Sequence, residues 1–200
     1  MGRKKATPGG SGDGEESAAR IVVHADESCL GNGREGDNPG GAGGLVEVRR
    51  GPQIVRRDFF VAEPATTNNR MALRSASLAL ELLGAKGRPL ALEFVSDSEY
   101  LVKGMTQWLR GWLRRGWKNV KNPVQWQRLV ALAGPHDITW RWVRGHDANA
   151  KNEYADFLAT RAAQDLHSSD GLVESGFLAW LEAQRAKGRY VAFDPDDLDA

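Results

Sequence analysis

Near its amino end the chain contains the stretch IVVHADESCLGNG, residues 21–33. Its first four residues form a short, mainly apolar run, as in a central strand, and the run ends at Asp26. Asp97, within FVSDSEY, follows the apolar segment 90–95 in the same way. Because open α/β sheets place ligand sites at the carboxyl ends of strands, both aspartates are candidate site residues.

The segments on either side predict the remaining elements. After a flexible Gly-rich loop, residues 31–44, two strand-like segments at about 42–50 and 53–61 are separated by a Gly-Pro turn. An apolar helix, capped by Thr67 or Asn68, ends at Gly84. A helix follows Asp97, a strand is expected at 138–143, and a last core helix at about 149–166. This order predicts a mixed α/β fold with a three-stranded antiparallel part.

Composition divides the chain into three parts. Residues 1–19 are rich in Gly, Ser, Lys and Glu, which predicts a disordered tail. Residues 20–167 form the predicted domain, and residues 168–200 form an extension with a short amphipathic helix and an acidic end. We expect the extension to fold back onto the domain; a partner-binding helix is the alternative. The acidic end could also compete with nucleic acid for a basic face.

Charge and cysteine content limit the classes of protein. The formal net charge is +1, so an argument for nucleic-acid binding must rest on local clusters. The single cysteine, Cys29, excludes an internal disulfide and fits a reducing compartment. No signal-peptide core and no run of about 18 apolar residues occurs. We therefore expect a cytoplasmic protein that does not enter a membrane.

A third aspartate completes a candidate metal site. Asp156, in KNEYAD, lies on the last core helix, which could lean over the edge that carries Asp26 and Asp97. Three converging carboxylates would repel one another unless a cation were bound, and oxygen donors favour Mg²⁺ or Mn²⁺ over Zn²⁺. Two such ions are the usual means of phosphodiester hydrolysis. Taken singly, each aspartate could equally be a cap or turn residue.

Residues 20–167 resemble type 1 ribonuclease H, the bacterial form with a basic protrusion. Seven motifs carry the resemblance in order: SCLGN (28–32), TNNRM (67–71), SDSEY (96–100), GMTQW (104–108), RGWK (115–118), WQRL (126–129) and WRWVRGH (140–146). The resemblance implies a ribonuclease H-like fold, with a five-stranded mixed sheet of three antiparallel and then two parallel strands, flanked by helices. It also implies hydrolysis of the RNA strand of RNA–DNA hybrids, with two cations, Mg²⁺ or alternatively Mn²⁺, held by an Asp-Glu-Asp-Asp set.

Three acids of that set match Asp26, Asp97 and Asp156, whereas Ala72 stands where the family has its glutamate. Glu81 is nine residues further along the helix, about 13 Å along its axis, too far to replace it. Glu27 stands where the family usually has glycine, but adjacent strand side chains point to opposite faces, so it reaches the site only if the strand has ended. The alternatives are water ligands with reduced activity, a binder that has lost catalysis, or an engineered inactive variant.

The resemblance assigns further roles. His146 matches a mobile-loop histidine that assists proton transfer or product release; the alternative is a surface histidine without a role. Asn32 and Asn68 match residues that contact minor-groove edges and 2′-hydroxyls, and Thr67 matches part of a DNA-phosphate pocket. Turn and cap roles are compatible with these assignments.

Aromatic and cationic residues alternate between positions 108 and 121, which suits contact with nucleic acid. The resemblance implies that Trp108 and Trp112 contact the DNA strand, and the clustered cations predict that Arg115 and Lys118 contact phosphates. The resemblance also assigns four further tryptophans to the core: Trp117, Trp126, Trp140 and Trp142. The alternative is that the aromatic residues pack between helices and the cations form a solvated face.

The sequence therefore predicts a monomeric RNA–DNA hybrid endonuclease. A hybrid-binding protein silenced by Ala72 is the main alternative. A related nuclease that acts on structured DNA is a third, disfavoured by the density of motifs.

Overall fold

One six-stranded sheet organises the described residues, which are 19–31, 38–145 and 149–199 of the computed structural model. The strands are β1 (Arg20–Cys29), β2 (Gly40–Arg50), β3 (Gln53–Glu63), β4 (Ala91–Ser96), β5 (Asp137–Trp142) and β6 (Val173–Glu174). Their spatial order is β5-β4-β1-β2-β3-β6. The first three strands are antiparallel, and β4 and β5 run parallel to β1.

The prediction of five strands was one too few. The extra strand is β6, whose two residues pair with Arg57 and Asp58 at the outer edge of β3. It lies in the extension beyond residue 167, where the resemblance ends. A strand of two residues leaves no alternating pattern that could have predicted it.

Six α-helices accompany the sheet in the described ranges: α1 (Asn68–Gly84), α2 (Glu99–Lys103), α3 (Leu109–Arg114), α4 (Pro123–Ala133), α5 (Ala150–Asp165) and α6 (Phe177–Arg185). A π-helical turn, Gly104–Trp108, joins α2 to α3. Thr67 caps α1 by accepting a hydrogen bond from the amide of Arg70. None of the helices described is both long and apolar enough to cross a bilayer.

The two faces of the sheet are covered differently. Alternation along β1 sends Val23 and Ala25 into the main core, which also takes in apolar residues of α1 and α4. Helix α5 packs on the opposite face, where Tyr154 and Leu45 form a second cluster with Phe177 of α6. The side chains of β1 that face α5 include that of Asp26, which is how the candidate site comes to lie beside this helix.

Gly40 and Gly41, predicted to lie in the loop, are the first residues of β2, and Gly43 and Gly44, where the predicted loop and strand overlapped, belong to the strand as well. A side chain at Gly41 would overlap the backbone of α5, and a Cβ at Gly43 would lie only 2.6 Å from Leu158 Cβ. Glycine is therefore required here for the close approach of helix and strand. This contact brings α5, and Asp156 with it, against the middle of the sheet.

Candidate metal and nucleic-acid site

Asp26 lies at the centre of the candidate site. It is only 7% exposed, and it pairs with Gly43 in the β1–β2 ladder. Its Oδ1 accepts a hydrogen bond from the amide of Glu27 at 2.7 Å, and its Oδ2 accepts one from Asn152 Nδ2 at 3.0 Å. The carboxylate orientation is thus set by its own strand and by α5.

Asp97 follows β4 directly and is half-buried. Trp142, at the end of β5, donates its indole N–H to the Asp97 carbonyl at 3.0 Å. Gly145 lies against the Asp97 carboxylate so closely that a Cβ at this position would overlap Oδ2. The neighbouring parallel strand and the loop that follows it therefore position Asp97.

Glu27 joins these two aspartates. One carboxylate oxygen of each of Asp26, Glu27 and Asp97 lies within 4.8 Å of the others. The expectation that Glu27 needs the strand to end was wrong, because β1 continues to pair with β2 as far as Cys29. What ends is the other ladder: the pairing of β1 with β4 stops at His24 and Val95. Beyond that point the edge of β1 is no longer paired with β4, and Ser98, just past the end of β4, partly offsets the rise in the pKa of Glu27.

Asp156 lies on α5 and is also half-buried. It is outside the 4.8 Å group, yet its charge contributes to raising the pKa of both Asp26 and Glu27. Thr160, one turn further along the helix, lies with its hydroxyl 3.4 Å from Asp156 Oδ1. The structure thus brings Asp26 and Asp97 together with the neighbouring Glu27, and Asp156 acts on this group through its charge from α5.

The electrostatics of this group are unfavourable without a counter-charge. Burial, followed by the charge of Asp97, raises the pKa of Asp26 to about 9. The same two causes, in the same order, raise the pKa of Glu27 to about 8. Carboxyl groups that share a site in this way resist ionisation together, and a bound cation removes that penalty.

Ala72 lies inside the main core. Its side chain is fully buried on α1, in the cluster that contains Val23 and Ala25. Glu81, on the same helix, pairs with Arg128 at 2.7 Å and Arg74 at 3.7 Å, and it is not part of the acid group. The prediction that Glu81 cannot replace the missing glutamate agrees with this geometry.

Of the predicted contacts outside the aromatic and cationic segment, two lie within the described residues and two do not. Thr67 is exposed at the start of α1, next to the half-buried Asn68. Asn32 and His146, the two residues assigned to loops, lie outside the described residues.

The aromatic and cationic segment is divided between core and surface. Trp108 is 39% exposed, and Arg115 and Lys118, seven and ten residues further along the chain, are exposed as well. Trp112 is half-buried, with its ring 4.9 Å from that of Trp126, so packing accounts for much of its surface. The assignment of Trp142 to the core was wrong: it is 46% exposed, because its strand lies at the edge of the sheet.

Sequence reasoning missed Asn152. Its side chain is buried and binds Asp26 from a position 126 residues away. The available signal was helical spacing, since Asn152 precedes Asp156 by four residues and therefore shares its face of α5.

Comparisons with known proteins agree with this geometry. The ribonuclease H family model matches residues 18–164. Ribonuclease H of Syntrophotalea carbinolica is 41% identical over 159 residues, which are 77% of this chain and 97% of that protein. Ribonuclease HI of Caulobacter vibrioides is 42% identical over 145 residues, 70% of this chain and 90% of the relative.

A solved structure is similar as well. The crystal structure of LC9-RNase H1, described as a type 1 RNase H with the type 2 active-site motif, has a TM-score of 0.81 to this chain at 49% identity, and 86% of each chain is covered. Sequence and fold agree over most of the molecule, and the chain belongs to the ribonuclease H family of endoribonucleases.

Proposed function

We propose that this chain hydrolyses the RNA strand of RNA–DNA hybrids with Glu27 in place of the glutamate that Ala72 lacks. The observation that carries this proposal is the approach of Asp26, Glu27 and Asp97 to within 4.8 Å of one another. Asp156, on the adjacent helix, is the fourth acid. The glutamate thus comes from the first strand instead of the first helix.

The donor set fits a divalent cation. All the donors in the group are carboxylate oxygens, which suit Mg²⁺ and Mn²⁺. Burial and the charge of Asp97 raise the pKa of Asp26 and of Glu27, so a bound cation would favour the ionised form of both carboxyl groups. We propose Mg²⁺ as the natural cation and Mn²⁺ as a replacement, held by Asp26, Glu27, Asp97 and Asp156.

Bound cations would supply an activated water and stabilise the leaving oxygen of the RNA strand. The protein residues keep the acids in place for this chemistry. Asn152 orients Asp26, Trp142 holds the backbone at Asp97, and Ser98 favours the ionised form of Glu27.

LC9-RNase H1 supports the altered acid set. Its description joins a type 1 fold with a different active-site motif, in a chain 49% identical to this one. A type 1 fold therefore tolerates a departure from the type 1 set of acids. This makes loss of catalysis the less favoured consequence of Ala72.

The surface residues fit a hybrid substrate. Thr67 and Asn68 stand together at the start of α1, where amide and hydroxyl groups can read phosphates and 2′-hydroxyls. Trp108 with Arg115 and Lys118 offers an exposed ring and two cations for the DNA strand.

We further propose that the enzyme acts as a monomer in the cytoplasm. All four acids come from one chain, so the site does not require a second copy. The single cysteine, Cys29, is consistent with a reducing compartment.

Cleavage of a labelled RNA–DNA hybrid, in Mg²⁺ and in Mn²⁺, tests the proposed function. Glu27→Gln and Asp97→Asn should each lower the rate at least 100-fold, because each removes a charged ligand. Glu182→Gln, a change at an exposed glutamate of α6, is the matched control and should cleave at the wild-type rate.

Two results would count against the proposal. Unchanged cleavage by Glu27→Gln would remove Glu27 from the site. No cleavage by the wild-type chain, with activity created by Ala72→Glu, would identify a silenced hybrid-binding protein instead.

A further inference from the structure

The last residues of the chain lie against the face of the sheet that carries Asp26. We call residues 194–199 the C-terminal tail. Leu198, near its end, is only 2% exposed and packs against Val22 of β1 and Val95 of β4. Val22 stands four residues before Asp26, on the same face of β1. An apolar anchor therefore fixes the tail under the strand that carries the acid.

Arginines of the first three strands bind the tail by polar contacts. Arg56 Nη2 donates to the Pro195 carbonyl at 2.6 Å and to Asp196 Oδ1 at 2.8 Å. Arg49 donates to the Asp196 carbonyl, and Arg20 pairs with the Asp199 carboxylate. The acidic composition of the tail is thus matched by the strands beneath it.

Lys151 connects the tail to helix α5. Its side chain is fully buried, and Nζ donates to the Asp197 carbonyl at 2.6 Å and pairs with Glu47 Oε2 at 2.7 Å. Glu47 is itself fully buried and also binds Arg56 Nε at 2.8 Å. A buried ammonium group needs all its partners, so Lys151 and the tail hold each other in place.

The same turn of α5 also contacts Asp26 of β1. The side chain of Asn152, next to Lys151, donates to Asp26 Oδ2. The backbone N–H of Asn152 donates to Asn149 Oδ1, the helix cap, at 3.0 Å. The first turn of α5 is therefore held on one side by the tail and on the other by Asp26. Movement of Lys151 would displace Asn152 with it, because the two share one helical turn.

We propose that the C-terminal tail positions the metal site: by binding Lys151, it holds Asn152 in the position that orients Asp26 toward the cation. The proposal rests on the proposed function, since it assumes that Asp26 is a metal ligand. Lys151, Asn152 and Leu198 are then positioning residues. Groups that orient metal ligands commonly change metal affinity 10- to 100-fold when removed.

The test compares two leucines of the extension. Leu198→Asp places a carboxylate between Val22 and Val95 and should release the tail, whereas Leu178→Asp changes an exposed leucine of α6 and is the matched control. Titration calorimetry of the full chain with Mn²⁺, without substrate, should show about tenfold weaker binding for Leu198→Asp. Leu178→Asp should bind Mn²⁺ as the wild type does.

A double-mutant cycle separates positioning from general loss of stability. Asn152→Ala should weaken Mn²⁺ binding by itself, and Leu198→Asp should add little to it, because both act through one hydrogen bond to Asp26. Circular dichroism checks folding, and Leu198→Ala, which removes the anchor without adding a charge, keeps the comparison available if Leu198→Asp does not fold.

Unchanged Mn²⁺ affinity in a folded Leu198 variant would overturn the inference, as would two defects that multiply in the double variant. The metal titration also separates this inference from the proposed function. A wild-type chain that binds Mn²⁺ and cleaves no hybrid would refute the function and leave the comparison of affinities intact.

Discussion

The acid group should make the metal-free protein less stable at neutral pH than a variant that lacks one charge. The pKa of Asp26 is raised from its ordinary value of 3.8 to about 9. In the unfolded chain this carboxyl ionises near its ordinary pKa of 3.8, whereas in the folded protein it stays protonated to about pH 9. Between pH 3.8 and pH 7, an interval of roughly three units, ionisation therefore favours the unfolded state. At about 1.4 kcal/mol per unit, the difference is about 4 kcal/mol. Asp26→Asn keeps the shape and removes the charge, and should raise the free energy of unfolding by up to that amount.

The sign of the pH dependence follows from the raised pKa. Well below pH 3.8 the carboxyl is protonated in both states, so the variant should have no advantage there. As the pH rises toward 9, the unfolded wild type releases a proton that the folded protein retains. The advantage of Asp26→Asn should therefore grow between pH 4 and pH 9. Excess Mg²⁺ should reduce it, because a cation that binds the folded wild type stabilises it.

Urea unfolding in EDTA at pH 4.5, 7 and 9, followed by tryptophan fluorescence, measures this difference. Asp137→Asn, at an exposed position where β5 begins, is the control and should change the free energy of unfolding by less than about 0.5 kcal/mol. Equal stability of wild type and Asp26→Asn at pH 7 would refute the argument. A gain that stays constant from pH 4.5 to pH 9 would also refute it, since the cause would not be ionisation.

Three further predictions concern packing, substrate contact and the missing glutamate. Gly41→Ala should destabilise the protein by about 1–3 kcal/mol in urea unfolding, because its Cβ overlaps α5, whereas Gly111→Ala, with open space in α3, should be neutral or stabilising. Trp108→Ala should weaken hybrid binding in fluorescence anisotropy by about tenfold, and an equal loss for the exposed Leu113→Ala would contradict a specific contact. Ala72→Glu should lower stability in EDTA more at pH 8 than at pH 4.5, because it buries a further carboxyl; the same loss at both pH values would argue against this.

Much of the fold follows from local pattern. The apolar runs that end at Asp26 and Asp97 form β1 and β4, and the helix predicted from Thr67 to Gly84 is α1 within a residue. These features were predictable because alternation, caps and turn residues act over a few positions. Gly41, predicted to lie in a loop, was misassigned for the complementary reason. Its role is to let α5 approach the sheet, and that partner lies more than a hundred residues away in the chain.

The site divides in the same way. The sequence by itself pointed to Asp26, Asp97 and Asp156, because each stands in a local motif, although Asp26 lies within β1, three residues before the strand ends. Only the tertiary structure decided the place of Glu27, since alternation assigns it to the other face while the free edge of β1 beside β4 lets it join the aspartates. The contact of Asn152 with Asp26 and the anchoring of Leu198 were likewise decided by tertiary packing. Such contacts depend on where strands and helices that are distant in the sequence end relative to one another. The two-residue period of strands and the 3.6-residue period of helices carry no information about that placement.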